Sequence, residues 1–347
     1  MSSENQESRE IENGQARSGG RGLLIGGAVV AGLLVLTLAT VALVLLVAPG
    51  GGGTASSRVT TYDEEYVLGE GDRKIAVVPV EGVISTTDST LRGPVPATTP
   101  EGLRDALRQA GEDDGVEALI LEVNSPGGGV TASDQMYRLI EDFKRSSDKP
   151  VVVSMGNTAA SGGYYISTAA DEIVANETTV TGSLGVILQL TDLSEAADKL
   201  GVEQEIIKSG RFKDMGSPFR DLTPQERDIF QSIVNDSYNQ FVQVIVDGRN
   251  LPEEEVRELA DGRIYSGLQA KELDLVDELG GIEEAARIAR ERANVDEATV
   301  VRYVRPPSLS DLLRVRLAPQ EPEIAQVMEA TGLNLEPIPY YLYVPGL

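Results

Sequence analysis

Ser161 is the first residue of this sequence whose type and surroundings suggest chemistry. It lies in residues 159–165, which read Ala-Ala-Ser-Gly-Gly-Tyr-Tyr. Small neighbours leave room for a substrate backbone, and the N–H of Gly162 can face a developing oxyanion. The competing interpretation is that Ser161 is a helix N-cap beside glycines that permit close packing. Taken alone, the segment does not decide between a nucleophile and a cap.

A glycine-rich turn provides a second candidate, because it can present backbone N–H groups to an anion. Residues 124–129 read Asn-Ser-Pro-Gly-Gly-Gly, directly after the apolar run 118–123 and before a helix predicted over 132–146. The N-terminus of a helix after such a turn favours negative charge. The turn lacks the Gly-Lys-Ser/Thr sequence of a nucleotide-binding P-loop. The alternatives are an oxyanion-binding turn and a plain turn.

The base that would activate Ser161 must be found without imidazole or thiol groups, because the chain has no histidine and no cysteine. This excludes Ser-His-Asp triads, thiolate chemistry, disulfides and zinc sites built from those ligands. A lysine serves as base only when desolvation lowers its pKa toward neutrality. Lys208 and Lys213 both lie in the glycine-containing stretch 206–218, and spacing does not choose between them. A third small-residue turn, residues 181–185, offers the Ser183 hydroxyl to orient such an amine.

These four segments, in their order and spacing over about residues 70–290, together resemble the short form of signal peptide peptidase A. That family contains membrane-anchored Ser/Lys peptidases of the Clp protease and crotonase superfamily. The resemblance implies an α/β fold of stacked ββα units after a single N-terminal transmembrane helix. It also implies a role for each candidate residue: Ser161 as nucleophile, Lys213 as general base, Ser183 as the group that orients the lysine, Gly128 and Gly162 as oxyanion donors, and Lys208 outside the dyad.

The same resemblance implies the substrates and partners of the chain. The expected activity is hydrolysis of remnant signal peptides and, as a second class, of misfolded secreted proteins, with no metal and no cofactor. Members of the family form ring-like or dome-like homo-oligomers in which neighbouring subunits can share the dyad. Three alternatives stay open: a membrane serine peptidase that acts on stomatin-like partners, a crotonase-like acyl-CoA enzyme, and a non-catalytic scaffold that binds peptides.

The elements that would position these residues follow an α/β alternation. Apolar runs rich in β-branched residues predict strands, at 75–80, 118–123, 151–154, 172–175 and 299–303. Thr223 and Glu226 form a capping box with proline at the first helical position, which predicts a helix to about Asp247 that Gly248 ends. A further helix is predicted from Ile282 to a residue before Asn294.

An uncharged apolar stretch, residues 22–48, is long enough to cross a hydrocarbon core of about 30 Å as a helix. Signal-peptide cores are shorter and end in a small-residue cleavage site, so we expect an uncleaved anchor in the bilayer. Arginines before the span outnumber those soon after it, which predicts a cytoplasmic N-terminus and an extracytoplasmic catalytic domain in the cell membrane. The expected order along the chain is a disordered tail (1–21), the anchor (22–48), a linker (49–69), the peptidase domain (70–295) and an unassigned extension (296–347).

Composition limits the remaining classes of function. The 347 residues carry a formal net charge of -25, from 55 acidic and 30 basic side chains. Such an excess of negative charge argues against a nucleic-acid partner. The acidic residues show no clustered spacing that resembles a carboxylate metal site. We therefore expect no nucleic-acid partner, whereas peptide substrates are what the resemblance implies and contact with the lipid bilayer is expected through residues 22–48.

Overall fold

The structure is a computed structural model that describes residues 61–87, 97–306 and 340–342. The chain divides into two compact units, Met1–Arg58 and Val59–Leu347. The predicted tail and anchor both belong to the first unit and lie outside the described residues. Within the described residues, no helix has the length and apolar character of a membrane span.

The described strands form one sheet. They are β1 (Asp63–Leu68), β2 (Lys74–Ile84), β3 (Ala97–Thr98), β4 (Val116–Gly129), β5 (Val151–Ala160), β6 (Glu172–Ala175), β7 (Val180–Gly182), β8 (Ile264–Ser266), β9 (Glu278–Leu279), β10 (Thr299–Val304) and β11 (Tyr340–Leu342). The main path of the sheet runs β1-β10-β2-β4-β5-β6-β9. Pairing from β10 to β9 along this path is parallel, whereas β1 runs antiparallel to β10.

Helices follow most of the strands, as in an α/β protein. They are α1 (Pro100–Glu112), α2 (Val130–Ser147), α3 (Gly162–Ser167), α4 (Ser194–Leu200), α5 (Pro224–Arg249), α6 (Glu253–Leu259), α7 (Gly267–Glu272) and α8 (Ile282–Ala293). The sheet separates two apolar cores. Alternate residues of β4 enter each one, with Leu119, Leu121 and Val123 on the side of α1, α2 and α5, and Ala118 and Ile120 on the side of α8. Central strands buried on both faces explain the continuous apolar runs in the sequence.

The predicted strands and helices are confirmed, with two differences at their boundaries. Gly248 does not end its helix, which continues to Arg249 and stops at Asn250 in a left-handed conformation. Gly248 is needed for packing instead, because a Cβ there would lie 2.2 Å from the carbonyl oxygen of Thr168. At the start of the domain, β1 falls within the predicted linker, where it pairs with β10.

The C-terminal boundary placed at residue 295 also differs from the sheet. β10 lies between β1 and β2, so the residues to 304 are part of the sheet and not an appendage. Its side chains Val301 and Tyr303 belong to the larger apolar core. Most of the remaining extension lies outside the described residues, apart from β11.

Candidate active site

Ser161 occupies the sharp turn between β5 and α3. Its backbone has φ 52° and ψ -114°, a conformation that is strained for a residue with a side chain. The turn is held by two backbone hydrogen bonds, in which Ser161 N–H donates to the Gly182 carbonyl (2.8 Å) and Tyr165 N–H donates to the Ser161 carbonyl (2.8 Å). Strained strand-to-helix turns of this kind present the nucleophilic serines of α/β-hydrolases.

The Ser161 hydroxyl is buried and unpaired. The residue is 1% exposed, and its Oγ has no hydrogen-bond partner among the described residues. Ser161 does stand at the N-cap position of α3, yet its side chain makes no capping hydrogen bond. The cap interpretation therefore does not account for the hydroxyl. Buried polar groups are normally paired, so an unpaired one at a strained turn calls for a function.

The two glycines expected to bind an oxyanion lie side by side. A Cβ added to Gly162 would be 3.1 Å from the backbone nitrogen of Gly128 and 2.6 Å from Ser133 Oγ. A Cβ on Gly128 would be only 1.9 Å from the Ile84 carbonyl oxygen. Both positions therefore require glycine so that the backbones can approach. The structure brings Gly128 and Gly162 together next to Ser161.

Ser125 holds the glycine-rich turn in place, a role that the sequence analysis did not assign. The side chain is fully buried, and its Oγ donates to the Gly82 carbonyl (2.6 Å) and accepts from Gly127 N–H (3.1 Å). The hydroxyl thus ties the end of β4 to a bulge in β2. The signal for this role is a serine two residues before a glycine, the spacing of a side-chain turn.

The turn that carries Ser183 packs behind the serine. Gly182 accepts the hydrogen bond from Ser161 N–H, and Ser183 N–H donates to the Arg263 carbonyl (2.7 Å). Ser183 has φ 51°, so this turn is the second non-glycine position at the site with a left-handed backbone. Ser183 is half-buried. The structure therefore places Ser183 beside the candidate nucleophile in the fold.

Lys213 makes no hydrogen bond with the Ser161 hydroxyl within one chain. It lies in the irregular stretch between α4 and α5, where its side chain is exposed. Within the described part of the chain, Lys213 forms no ion pair and Ser161 Oγ receives no hydrogen bond. Lys208 differs, because its ammonium group pairs with Asp214 at 2.6 Å. The two lysines therefore differ in their surroundings, since Lys208 is held by a carboxylate and Lys213 forms no ion pair among the described residues.

Asp214 is the centre of a charge cluster that the sequence analysis missed. Arg220 donates to its carboxylate through Nε (3.0 Å) and to its carbonyl through a terminal nitrogen (3.0 Å). Arg220 also pairs with Glu226, which is 2% exposed and belongs to the capping box of α5. Hydrogen bonds from Arg220 and Lys208 hold the pKa of Asp214 well below its usual range. Those from Arg220 and Thr223 lower the pKa of Glu226 to about 2.

An extended segment of the chain already lies along the glycine-rich turn. The pairing of β5 with β4 ends at Ser125 and Ala159, so the next residues of β4 are no longer paired with β5. β11 pairs there in antiparallel register, with Tyr341 opposite Gly128. It also contacts α2 and α3. This edge is therefore able to accept a strand next to Ser161.

Metal-ligating side chains are not grouped within the described part of the chain. Among the residues that the structure describes, no three His, Cys, Asp or Glu side chains are placed so that they could hold a metal ion. What the arrangement provides is a buried hydroxyl, two adjacent glycines and an edge for an extended chain. Together these suit nucleophilic attack on a peptide carbonyl.

Comparison with known proteins gives consistent relatives. The sequence profile of peptidase family S49 matches residues 143–296. A protein of Enterococcus faecium with the name "Putative signal peptide peptidase SppA" is 36% identical over 284 residues, which cover 79% of this chain and 82% of that protein. The chloroplastic serine protease SPPA of Arabidopsis thaliana is 35% identical over 248 residues, 70% of this chain but only 36% of that larger protein.

Among solved structures, a mutant of ClpP1 from Listeria monocytogenes aligns with 60% of this chain and 93% of that chain. The TM-score is 0.39 and the identity is 17%. This similarity is too low to establish a shared fold. The sheet and helices described above nevertheless give the chain a mixed α/β fold.

Proposed function

The chain belongs to peptidase family S49 and is a serine endopeptidase, and we propose that it cleaves signal peptides at the membrane with Ser161 as its nucleophile. The observation that carries the assignment of the nucleophile is the unpaired, buried Ser161 hydroxyl on a strained turn. We assign the general base to Lys213, the oxyanion donors to the N–H groups of Gly128 and Gly162, and the orientation of the lysine to Ser183.

The proposed reaction is acyl transfer in two steps. The neutral Lys213 amine takes the proton of the Ser161 hydroxyl as Oγ bonds to the peptide carbonyl carbon. The carbonyl oxygen becomes an oxyanion, which the N–H groups of Gly128 and Gly162 stabilise. The intermediate then collapses, the peptide C–N bond breaks, and the lysine ammonium gives its proton to the leaving amine. Water, activated by the same lysine, hydrolyses the acyl-enzyme and restores Ser161.

We further propose that the lysine comes from a neighbouring copy of the chain in a homo-oligomer. Two observations support this: Ser161 Oγ has no partner among the described residues of its own chain, and Lys213 is exposed. The stretch that precedes Lys213 also exposes large apolar side chains, including Ile207 at 94% and Leu200 at 79%. Exposed apolar residues of this size are typical of interfaces between proteins.

The substrate would bind as an added strand on the exposed edge of β4. In this proposal the peptide takes the place of β11 along Gly127–Gly129, so that its carbonyl group reaches the two glycine N–H groups. The chain would be held in the cell membrane by residues 22–48, with a cytoplasmic tail (1–21) and an extracytoplasmic peptidase domain joined through residues 49–69. We also propose stacked ββα units of the Clp protease and crotonase type as the finer description of the fold.

The direct test is cleavage of a synthetic signal peptide by the full chain in detergent. We expect cuts within the apolar part of the peptide, located by mass spectrometry, and no cuts in a control peptide of equal length in which charged residues interrupt that part. Cleavage of both peptides at equal rates would contradict the substrate assignment. No cleavage of either, together with turnover of an acyl-CoA thioester, would favour the crotonase-like alternative.

A second prediction follows from β11. Deleting residues 336–347 should raise kcat/KM severalfold, because the intramolecular strand no longer competes with substrate for Gly127–Gly129. Deleting only residues 343–347 is the matched control, because it keeps β11 intact and should leave kcat/KM near the wild-type value. An equal effect of both deletions would contradict competition by β11. The intact mass of the wild type and of Ser161→Ala shows whether the enzyme removes this segment itself.

A further inference from the structure

The Asp214 carboxylate stands next to the proposed general base in sequence, yet both of its oxygens are engaged elsewhere. Oδ1 accepts from Lys208 Nζ at 2.6 Å, and Oδ2 accepts from Arg220 Nε at 3.0 Å. The Asp214 side chain is only 9% exposed. A carboxylate in this state is already paired with two cations.

Arg220 fixes the position of this carboxylate by reaching a second element. Its terminal nitrogens donate to both oxygens of Glu226, at 3.0 Å and 2.6 Å. Glu226 itself is tied into the first turn of α5, where its carboxylate accepts from Thr223 N–H at 3.0 Å. The irregular stretch that carries Lys213 is therefore anchored to a long helix through one guanidinium group.

The charge balance around Lys213 decides whether it can act as a base. A free carboxylate within reach of an amine favours the ammonium form, and nearby cations favour the neutral form. Besides Lys213, the charged residues of the stretch 201–223 are Glu203, Glu205, Lys208, Arg211, Asp214, Arg220 and Asp221, and the first turn of α5 adds Glu226 and Arg227. Arg211 lies over the ring of Phe212, 5.0 Å from its centroid. Asp214 is the carboxylate nearest to Lys213 in the sequence. Lys208 and Arg220 both form ion pairs with it.

We propose that Lys208 and Arg220 are positioning residues that hold Asp214 away from Lys213 and so keep the base available in its neutral form. This inference rests on the proposed function, in which Lys213 is the general base. It gives Lys208 a role distinct from both of those considered in the sequence. Lys208 does not take the proton of Ser161. It neutralises the Asp214 carboxylate, which is next in sequence to Lys213, the residue that takes the proton.

The test is the pH dependence of kcat/KM for the full-length enzyme with Lys208→Met. Loss of the Lys208 cation should free one Asp214 oxygen for Lys213, so the acid limb of the profile should move up by about one pH unit. Below that limb the rate should fall about tenfold, and at high pH it should return to the wild-type value. KM should change little. Lys208→Arg keeps the cation and should keep the profile.

The double variant Lys208→Met with Asp214→Asn separates charge from structure. Removing the freed carboxylate should return the acid limb to its wild-type position, whereas a purely structural role predicts no rescue or a further loss. Lys199→Met is the matched control, because among the described residues Lys199 forms only an exposed pair with Glu195, and the profile should stay unchanged. If Lys208→Met does not fold, Lys208→Gln replaces it.

Each result has a definite meaning. An unshifted acid limb in Lys208→Met, or a shift that Asp214→Asn does not reverse, overturns the inference. Ser161→Ala and Lys213→Met are measured in the same assay. If these two variants keep wild-type activity, the proposed function itself fails; if they are inactive while Lys208→Met is unshifted, only the role of Lys208 and Arg220 fails.

Discussion

Replacing Ser161 by alanine is expected to lower kcat for peptide cleavage by about 10⁴-fold or more, the scale measured when a serine nucleophile is removed. The stability of the folded protein should not decrease. The Oγ atom is buried without a partner among the described residues, so its removal deletes a polar group that no hydrogen bond there satisfies. Alanine also adopts the Ser161 backbone at the same cost in strain as serine. We therefore expect Tm to stay equal to the wild-type value or to rise.

Ser167→Ala is the matched control for this prediction. Ser167 is also a fully buried serine of the same short helix, but its Oγ donates to the Gly163 carbonyl at 2.7 Å. Its loss should cost about 1 kcal/mol of stability and leave kcat within a small factor of the wild type. Ser161→Ala is thus expected to lose activity but not stability, and Ser167→Ala is expected to lose stability but not activity. Activity retained in Ser161→Ala, or lost equally in both variants, would refute the role of Ser161.

Lys213→Met should match Ser161→Ala in activity, because the serine hydroxyl is a weak nucleophile without a base. The side chain is exposed in the single chain, so little stability depends on it. Mixing inactive Ser161→Ala with inactive Lys213→Met tests the shared dyad. Recovery of part of the activity on mixing is expected if neighbouring copies complete one another's sites, and no recovery is expected if each chain supplies both residues.

The sequence predicted those elements whose structure depends on a local pattern of residues. The β-branched runs predicted the central strands because those strands are buried on both faces, and the capping box of Thr223 and Glu226 predicted the start of α5. The turns that form the site could also be found from local sequence. Small residues around a serine leave room for a substrate backbone, which is what a nucleophile requires. The arrangement of Ser161 with Gly128 and Gly162 follows from strands that end at one edge of the sheet.

Non-local contacts account for what the sequence left open. β1 has exposed acidic residues at its start and reads as a linker, because its pairing depends on β10 at the far end of the domain. Gly248 looks like a helix stop, yet it marks the contact of α5 with Thr168. The ion pair of Lys208 with Asp214 is a further contact that no spacing rule contains.

The second large effect is expected at Gly128. A Cβ at this position would lie 1.9 Å from the Ile84 carbonyl oxygen and 2.7 Å from the Ile84 carbonyl carbon and backbone nitrogen, so Gly128→Ala must push two paired strands apart. Overpacking of a buried position costs about 1–3 kcal/mol or more. The displaced N–H can no longer meet the oxyanion, and loss of one such donor lowers kcat by about 10²–10³-fold. Gly111→Ala in α1 is the control, because its Cβ would meet the Phe143 ring at an ordinary contact distance of 3.6 Å, and it should lower neither quantity.

Gly162→Ala separates the loss of the oxyanion donor from the damage to the sheet. Its Cβ would meet the Ser133 hydroxyl at 2.6 Å and the Gly128 nitrogen at 3.1 Å, so the clash is with one side chain and with the proposed oxyanion site itself. We expect a smaller decrease in Tm than for Gly128→Ala, but a fall in kcat of the same order, about 10²–10³-fold. Thermal unfolding and kcat measured on both variants show whether the two glycines stabilise the oxyanion or serve packing. If kcat falls only in proportion to the loss of folded protein, these glycines serve packing alone, and the oxyanion must be stabilised by other groups.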